Sequence, residues 1–270
     1  MMREINPRIK QIIDKHSKSL AHEFHERNAT DLLRIVEDEE LDLHVDDYED
    51  HFDGMLIWDQ PKFHIHLNET KGNLPSTKRG RFTLAHELGH YFIDAHRNGL
   101  KRGLISPHPS NLSLVHNERI EKEADQFAAS LLMPRKRLHD FTGGKKFSLN
   151  IIKQISESFQ VSLTSAVIRF AEVGTHEIMA VFSSGNMVKW YSKSNDFPKL
   201  PFKFKVGGQL PSTSVAGEFY TKPDSKYTDI ELVEIEDWFH LTDWAPEYQM
   251  YEQCFYSDLY GFTISLIWFE

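Results

Sequence analysis

The chain has a single cysteine, Cys254, which excludes an intrachain disulfide and suits a reducing compartment. No apolar run approaches the length of a membrane span, and the longest, residues 261–269, reads as a buried strand. The opening Met1-Met2-Arg3-Glu4-Ile5-Asn6-Pro7 lacks the apolar core of a signal peptide, so a cytoplasmic location is expected. Basic charge is short as well. With 31 Lys and Arg against 40 Asp and Glu the net charge is −9, so no global basic field draws the chain to nucleic acid. What remains is a chain of 270 residues, long enough to bury a real core and to hold two domains.

Its chemistry is concentrated in Arg81-Phe82-Thr83-Leu84-Ala85-His86-Glu87-Leu88-Gly89-His90. A helix stacks His86 and His90 one turn apart on one face, where two ring nitrogens reach one tetrahedral zinc ion. Glu87 lies beside them without taking a ligand position, so H-E-x-x-H supplies two ligands and a general base for metal-assisted hydrolysis, most often of a peptide bond. Residues 81–96 contain no proline and one glycine, and Phe82, Leu84, Ala85, Leu88, Tyr91, Phe92 and Ile93 surround the helix. Such a helix belongs inside a domain, where unpartnered histidines are costly. The plainer alternative is a pair of hydrogen-bonded core histidines; Glu87 and a downstream carboxylate favour zinc.

A third ligand has to come from another element. In residues 118–134, Ile120, Ala124, Phe127, Ala128, Leu131 and Leu132 recur at helical spacing and Pro134 stops the helix. Glu121 and Asp125 are one turn apart on a flank of that stripe. One carboxylate binds zinc while the other holds a ligand histidine by a hydrogen bond. By the same phase Glu118 and Glu123 point toward solvent.

R-F-T-L-A-H-E-L-G-H followed by E-K-E-A-D-Q-F-A-A-S-L-L-M-P resembles the ImmA/IrrE family of bacterial metallo-endopeptidases. The resemblance is strong over residues 30–135, including the Asp53-Gly54 approach to two short strands, and looser beyond. It implies a zincin-like fold, zinc ligands at His86, His90 and Glu121, and Glu87 as general base; on the helical spacing above, that leaves Asp125 to orient a ligand. It also implies a substrate: better-known members cut helix-turn-helix repressors and so release genes for stress responses or mobile-element transfer.

Around this centre the sequence predicts one or two helices over residues 5–36, the second capped by Thr30, then a solvated acidic run over 37–50. Residues 55–58 and 62–67 read as strands, and His64 and His66 share a face of the second. That strand is expected near the sheet edge on which an extended substrate pairs, so that proline at Ile65 impairs cleavage. Residues 97–117 read as a long loop, a candidate lid, and His96, His108, His116 or Tyr91 as candidates to stabilise an oxyanion. Gly143-Gly144 reads as a hinge.

Residues 148–173 suggest a helical hairpin like the core of a helix-turn-helix, with Ser162 capping its second helix. That helix offers only Arg169 as a basic side chain, with Glu172 nearby, so a structural hairpin is favoured over DNA binding. Residues 177–182, 187–191, 202–206, 230–235 and 262–269 read as strands in an aromatic-rich half that includes Trp190, Trp238, Phe239, Trp244, Tyr248, Tyr251, Phe255 and Tyr256.

The expected architecture is therefore α+β: a zincin-like metallopeptidase domain over 1–144, an HTH-like helical linker over 145–175, and a β-rich regulatory or substrate-docking domain over 176–270. The expected function is zinc-dependent endopeptidase cleavage of a helix-turn-helix repressor, with no membrane partner. Two other classes compete. One is a zinc-stabilised regulator that binds a partner without cutting it, which an intact Glu87 disfavours. The other is a DNA-binding regulator acting through residues 148–173.

Overall fold

The two periodicities produce an α+β chain. In a computed structural model, which describes residues 5–107, 110, 119–222, 226, 228–241 and 249–270, it divides into two units. The first is Met1–Leu138 with Ile155–Ser165, and the second is His139–Gln154 with Ala166–Glu270.

In the first unit, Asn6 caps helix α1 (Pro7–Glu23) by accepting from Arg8 N–H at 3.0 Å, and Pro7 occupies the first turn, where its missing N–H costs nothing. Ile13, Ser17, Leu20 and Ala21 form its buried stripe. A short hairpin (β1 His25–Glu26, β2 Ala29–Thr30) leads to α2 (Leu32–Asp38). Asp31, not Thr30, caps α2. The Thr30 hydroxyl is buried and donates to Leu131 O at 2.7 Å.

The acidic run is not all solvated coil, because it contains β3 (Asp42–Asp46). With β4 (Gly54–Asp59) and β5 (Lys62–Asn68) it makes a three-stranded sheet in the order β3-β5-β4. β5 lies in the middle, parallel to β3 and antiparallel to β4. β5 is therefore next to both edges but is not itself an edge strand, and proline at Ile65 would break ladder bonds inside the sheet rather than report on docking. The edge strand nearer the histidine helix is β4. Its outer side pairs at one end with Ser110, whose N–H donates to Gly54 O at 2.9 Å.

Phe63, Ile65 and Leu67 turn inward from β5, and Phe63 meets the ring of Tyr91 edge-on at 5.4 Å. Tyr91 belongs to α3 (Lys78–Phe92), which Thr77 caps through Gly80 N–H at 2.9 Å. α4 (Asp94–Lys101) follows, so the start of the expected loop at 97–117 is helical. Residues 108–109 and 111–118, which include His108, His116 and Glu118, lie outside the described residues. α5 (Arg119–Leu132) packs directly on α3. A Cβ at Gly89 would stand 3.1 Å from Ala124 Cα and 3.2 Å from Phe127 Cβ, so a larger residue would hold the two helices apart. Helices α6 (Arg135–Thr142), α7 (Leu149–Ser158) and α8 (Leu163–Val173) follow. Ser162 caps α8 through Ser165 N–H at 3.0 Å.

The second unit carries a five-stranded antiparallel sheet in the order β7-β6-β10-β9-β8. The strands are β6 (Ile178–Ser184), β7 (Met187–Lys193), β8 (Glu231–Val233), β9 (Met250–Ser257) and β10 (Phe262–Phe269), with α9 (Val215–Thr221) before β8. Gly185 and Asn186 both have positive φ in the turn between β6 and β7, as a tight hairpin of right-twisted strands requires. Residues 202–206 form no strand; Phe202 makes one bridge to Phe239 and stacks on Phe204. β9 has no counterpart among the strands expected from the sequence, and Trp244 and Tyr248 lie outside the described residues.

Val181, Val188, Phe197, Trp238, Phe239, Met250 and Ile267 belong to this unit's apolar core. Within it lies one carboxyl, Glu252, which accepts from Trp238 Nε1 at 2.8 Å, Val215 N at 3.0 Å and Ala216 N at 3.2 Å. Burial raises its pKa from 4.5, and those donors only partly oppose the rise. A raised folded pKa means that protonation favours the folded state. The contribution is present below about pH 4.5, the unfolded value, and is lost as pH rises through the folded value. Wild type is therefore expected to lose stability relative to Glu252→Gln as pH rises above that value; denaturant titrations of both proteins at several pH values check this, and a pH-independent difference would contradict it.

Candidate metal centre

Because α3 presents residues 86 and 90 on one face, and α5 lies against α3 at Gly89, three polar side chains converge in the interior of the first unit. His86 is 2%, His90 2% and Glu121 6% exposed. Their nearest atoms form a small triangle: His86 Nε2 to His90 Nε2 is 3.1 Å, His86 Nε2 to Glu121 Oε2 is 3.3 Å, and His90 Nε2 to Glu121 Oε1 is 3.3 Å. Among the described residues this is the group of three histidine and carboxylate donors that already lie close enough together to share one ion.

The donors fit a metal ion. A tetrahedral ion with bonds of about 2.0–2.1 Å separates its ligand atoms by about 3.3–3.4 Å, close to the three distances found. Two imidazole nitrogens and a carboxylate oxygen also form a set that zinc accepts. Asp125, half-buried, accepts from His86 Nδ1 at 2.9 Å. That hydrogen bond puts the ring proton on Nδ1 and leaves the Nε2 lone pair facing the cluster.

The electrostatics treat the two rings differently. Burial, together with the neighbouring His86, pushes His90 down to about 3, although Glu121 pulls the other way. Burial also opposes charge on His86, but hydrogen bonds to Asp125 and Glu121 outweigh it and hold that ring well above the ordinary histidine value. The pocket thus favours positive charge at His86, and a cation ligated at Nε2 would take the place of the proton there.

Glu87 is 1% exposed, and its carboxylate lies against Gly54 at the start of β4. A Cβ at Gly54 would stand 2.8 Å from Glu87 Oε1 and 2.6 Å from Thr83 Cγ2, so the missing side chain makes room for that carboxylate. A polar chain fixes this approach: Thr83 Oγ1 donates to Asn73 Oδ1 at 2.7 Å, and Asn73 Nδ2 and Arg79 Nη2 both donate to Asp53 Oδ1, at 2.8 and 2.6 Å. The Asp53-Gly54 pair is visible in the sequence, but no spacing marks Asn73 as its partner.

Of the oxyanion candidates, Tyr91 and His96 have partners of their own, and His108 and His116 lie outside the described residues. Tyr91 donates to Glu39 Oε2 at 2.9 Å. His96 Nε2 pairs with Glu123 Oε2 at 3.1 Å, and both residues are buried. Glu123 therefore does not face solvent as its helical phase predicts.

A buried centre of two histidines and one carboxylate, with a second glutamate beside it, defines the class: a metallopeptidase-type site carried by a helix pair and a small sheet. Residues 45–171 match the family described as IrrE N-terminal-like domain (Peptidase_M78), which supports the resemblance to the ImmA/IrrE family over that stretch. The Metallopeptidase ImmA of Bacillus subtilis (strain 168) is 32% identical over 89 residues, which cover 32% of this chain and 45% of that protein. The chain thus matches less than half of that relative's length. A solved structure, a Mycobacterium tuberculosis transcriptional regulator, shares the fold with a TM-score of 0.60 at 13% identity, over 96% of this chain and 76% of that one.

Glu121→Ala is expected to abolish tight zinc retention, and Asp125→Asn to weaken it by about 10–100-fold through loss of the Nδ1 anchor. Metal content after dialysis against a graded chelator checks both, and full zinc occupancy in Glu121→Ala would move the third ligand elsewhere.

Proposed function

We propose that the chain is a zinc-dependent endopeptidase of the ImmA/IrrE type, acting in the cytoplasm on a helix-turn-helix repressor and thereby derepressing genes, including stress-response genes. The observation that carries this reading is the buried triangle of His86, His90 and Glu121 with Glu87 next to it in sequence, inside the stretch that matches this family. In this reading residues 1–144 are a zincin-like peptidase domain, 145–175 an HTH-like linker, and 176–270 a regulatory or substrate-docking domain.

His86, His90 and Glu121 would hold the ion, and Asp125 would keep His86 in the tautomer that leaves Nε2 free to ligate. When bound, zinc supplies Lewis acidity, acidifying water and polarising a carbonyl. Glu87 then takes the proton of the attacking water and returns it to the departing amine. Its burial keeps the carboxylate from bulk solvent, and Gly54 keeps it in line.

A regulator that works without proteolysis is the second reading, favoured by the likeness in fold to the Mycobacterium tuberculosis transcriptional regulator. Glu87 weighs against it, since a purely structural metal site has no use for a base. Direct DNA contact through α8 loses its one basic side chain: Arg169 is 3% exposed and donates to Glu172 at 2.8 Å.

Incubation with a helix-turn-helix repressor encoded beside the gene, followed by product mapping with mass spectrometry, tests the proposal. A single cut is expected, abolished by chelation and by Glu87→Gln, with zinc content in that variant unchanged. Cleavage that survives Glu87→Gln would remove Glu87 from the mechanism. Gly54→Ala is expected to keep zinc but to lower kcat/KM about a hundredfold by displacing the Glu87 carboxylate; an unchanged rate would show that this contact does not position the base.

A further inference from the structure

A second group of imidazoles lies on the opposite face of the three-stranded sheet. The parallel register of β3 and β5 sets Asp42 beside His64 and His44 beside His66. Residues 63, 65 and 67 point inward, so these four side chains project together from the other face. His44 Nε2 and His64 Nδ1 are 3.3 Å apart, as close as the atoms of the buried triangle. Asp42 Oδ2 stands 3.6 Å from the same His64 nitrogen, while Lys62 Nζ lies 3.7 Å from the other carboxylate oxygen. The third ring completes the arrangement without joining it. His66 Nδ1 and the Tyr48 hydroxyl share a hydrogen bond at 2.8 Å, and the His66 ring stacks on His44 with centroids 4.9 Å apart and planes at 20°.

From this juxtaposition we propose that His44 and His64 form a second, surface site for a late first-row divalent cation, with Asp42 as the third donor and His66 as a positioning residue. Imidazole nitrogens suit zinc, nickel and copper(II). Two nitrogens about 3.3 Å apart match neighbouring corners of a tetrahedral site with bonds of about 2.0–2.1 Å. The buried triangle takes its third donor ready-placed, whereas Asp42 approaches His64 and not His44. Its exposed side chain has to swing to close the set, so water fills the remaining positions and binding is weaker than at the buried centre. The competing account of the same geometry is an N–H···N hydrogen bond between the two rings, which gives no metal affinity.

The two accounts differ in stoichiometry. Equilibrium dialysis of the full chain against zinc, with bound metal measured by atomic emission, is expected to give two equivalents for wild type. His44→Gln and His64→Gln should each lose one equivalent and keep the other, and His66→Gln should retain two with the weaker affinity reduced about tenfold. His44 is exposed and His64 and His66 are half-buried, so unchanged circular dichroism and melting will establish that the variants fold. His86→Gln separates the sites: it should lose the tight equivalent and keep the one that His64→Gln removes. The diagnostic quantity is the equivalent lost on substituting His44 or His64, so a failure of the buried centre would leave this test intact. Equal zinc binding by wild type, His44→Gln and His64→Gln would overturn the proposal and leave the hydrogen bond as the explanation.

Discussion

The close approach of α3 and α5 is the constraint on which the first unit depends. His86 and His90 come from one helix and Glu121 from the other, and the triangle closes only if the helix backbones nearly touch. Gly89 allows it, because any Cβ there would press on Ala124 and Phe127. The rest of the packing follows. Leu84, Ala85 and Leu88 on α3 and Ala124, Phe127 and Ala128 on α5 are fully buried, so neither helix has room to slide or rotate. Three ionisable groups in that interior are costly when unpartnered, and a shared cation would offset that cost.

The sheet serves the same centre from the other side. β5 seals α3 with Phe63, Ile65 and Leu67, while β4 brings Gly54 against Glu87. The chain from Asp53 through Asn73 to Thr83 ties the start of β4 to α3 by side-chain hydrogen bonds. The carboxylate proposed as base therefore rests on two rigid elements, the arrangement that holds a reacting group to within a fraction of an ångström.

Much of this is legible in the sequence because it follows helical geometry. The H-E-x-x-H spacing and the phase of residues 118–134 anticipate which side chains meet, and Asp125 lies against His86 as a hydrogen-bonding partner should. The misreadings have physical causes. Glu123 sits at a phase that predicts solvent, but His96 on α4 covers it, and that long-range contact leaves no local signature. β3 is hidden in an acidic run because its outward face carries Asp42, His44 and Asp46, leaving only Leu43 and Val45 as apolar residues. β9 reverses the usual alternation: Met250, Glu252 and Cys254 point inward and Tyr251 and Phe255 less so, with a glutamate at a core position. Residues 202–206 alternate like a strand, yet Phe202 and Phe204 stack on each other and meet Tyr191 edge-on instead of entering a ladder. Edge or centre for β5 is a matter of strand order, which alternation does not encode.

The central claim is that His86, His90 and Glu121 share one metal ion, and anomalous diffraction at the zinc edge from crystals of the zinc-loaded chain tests it most directly. The account predicts an anomalous peak within about 2.0–2.2 Å of His86 Nε2, His90 Nε2 and a Glu121 carboxylate oxygen. A zinc-loaded crystal with no peak there, and with His86 and His90 joined by a hydrogen bond, would contradict it.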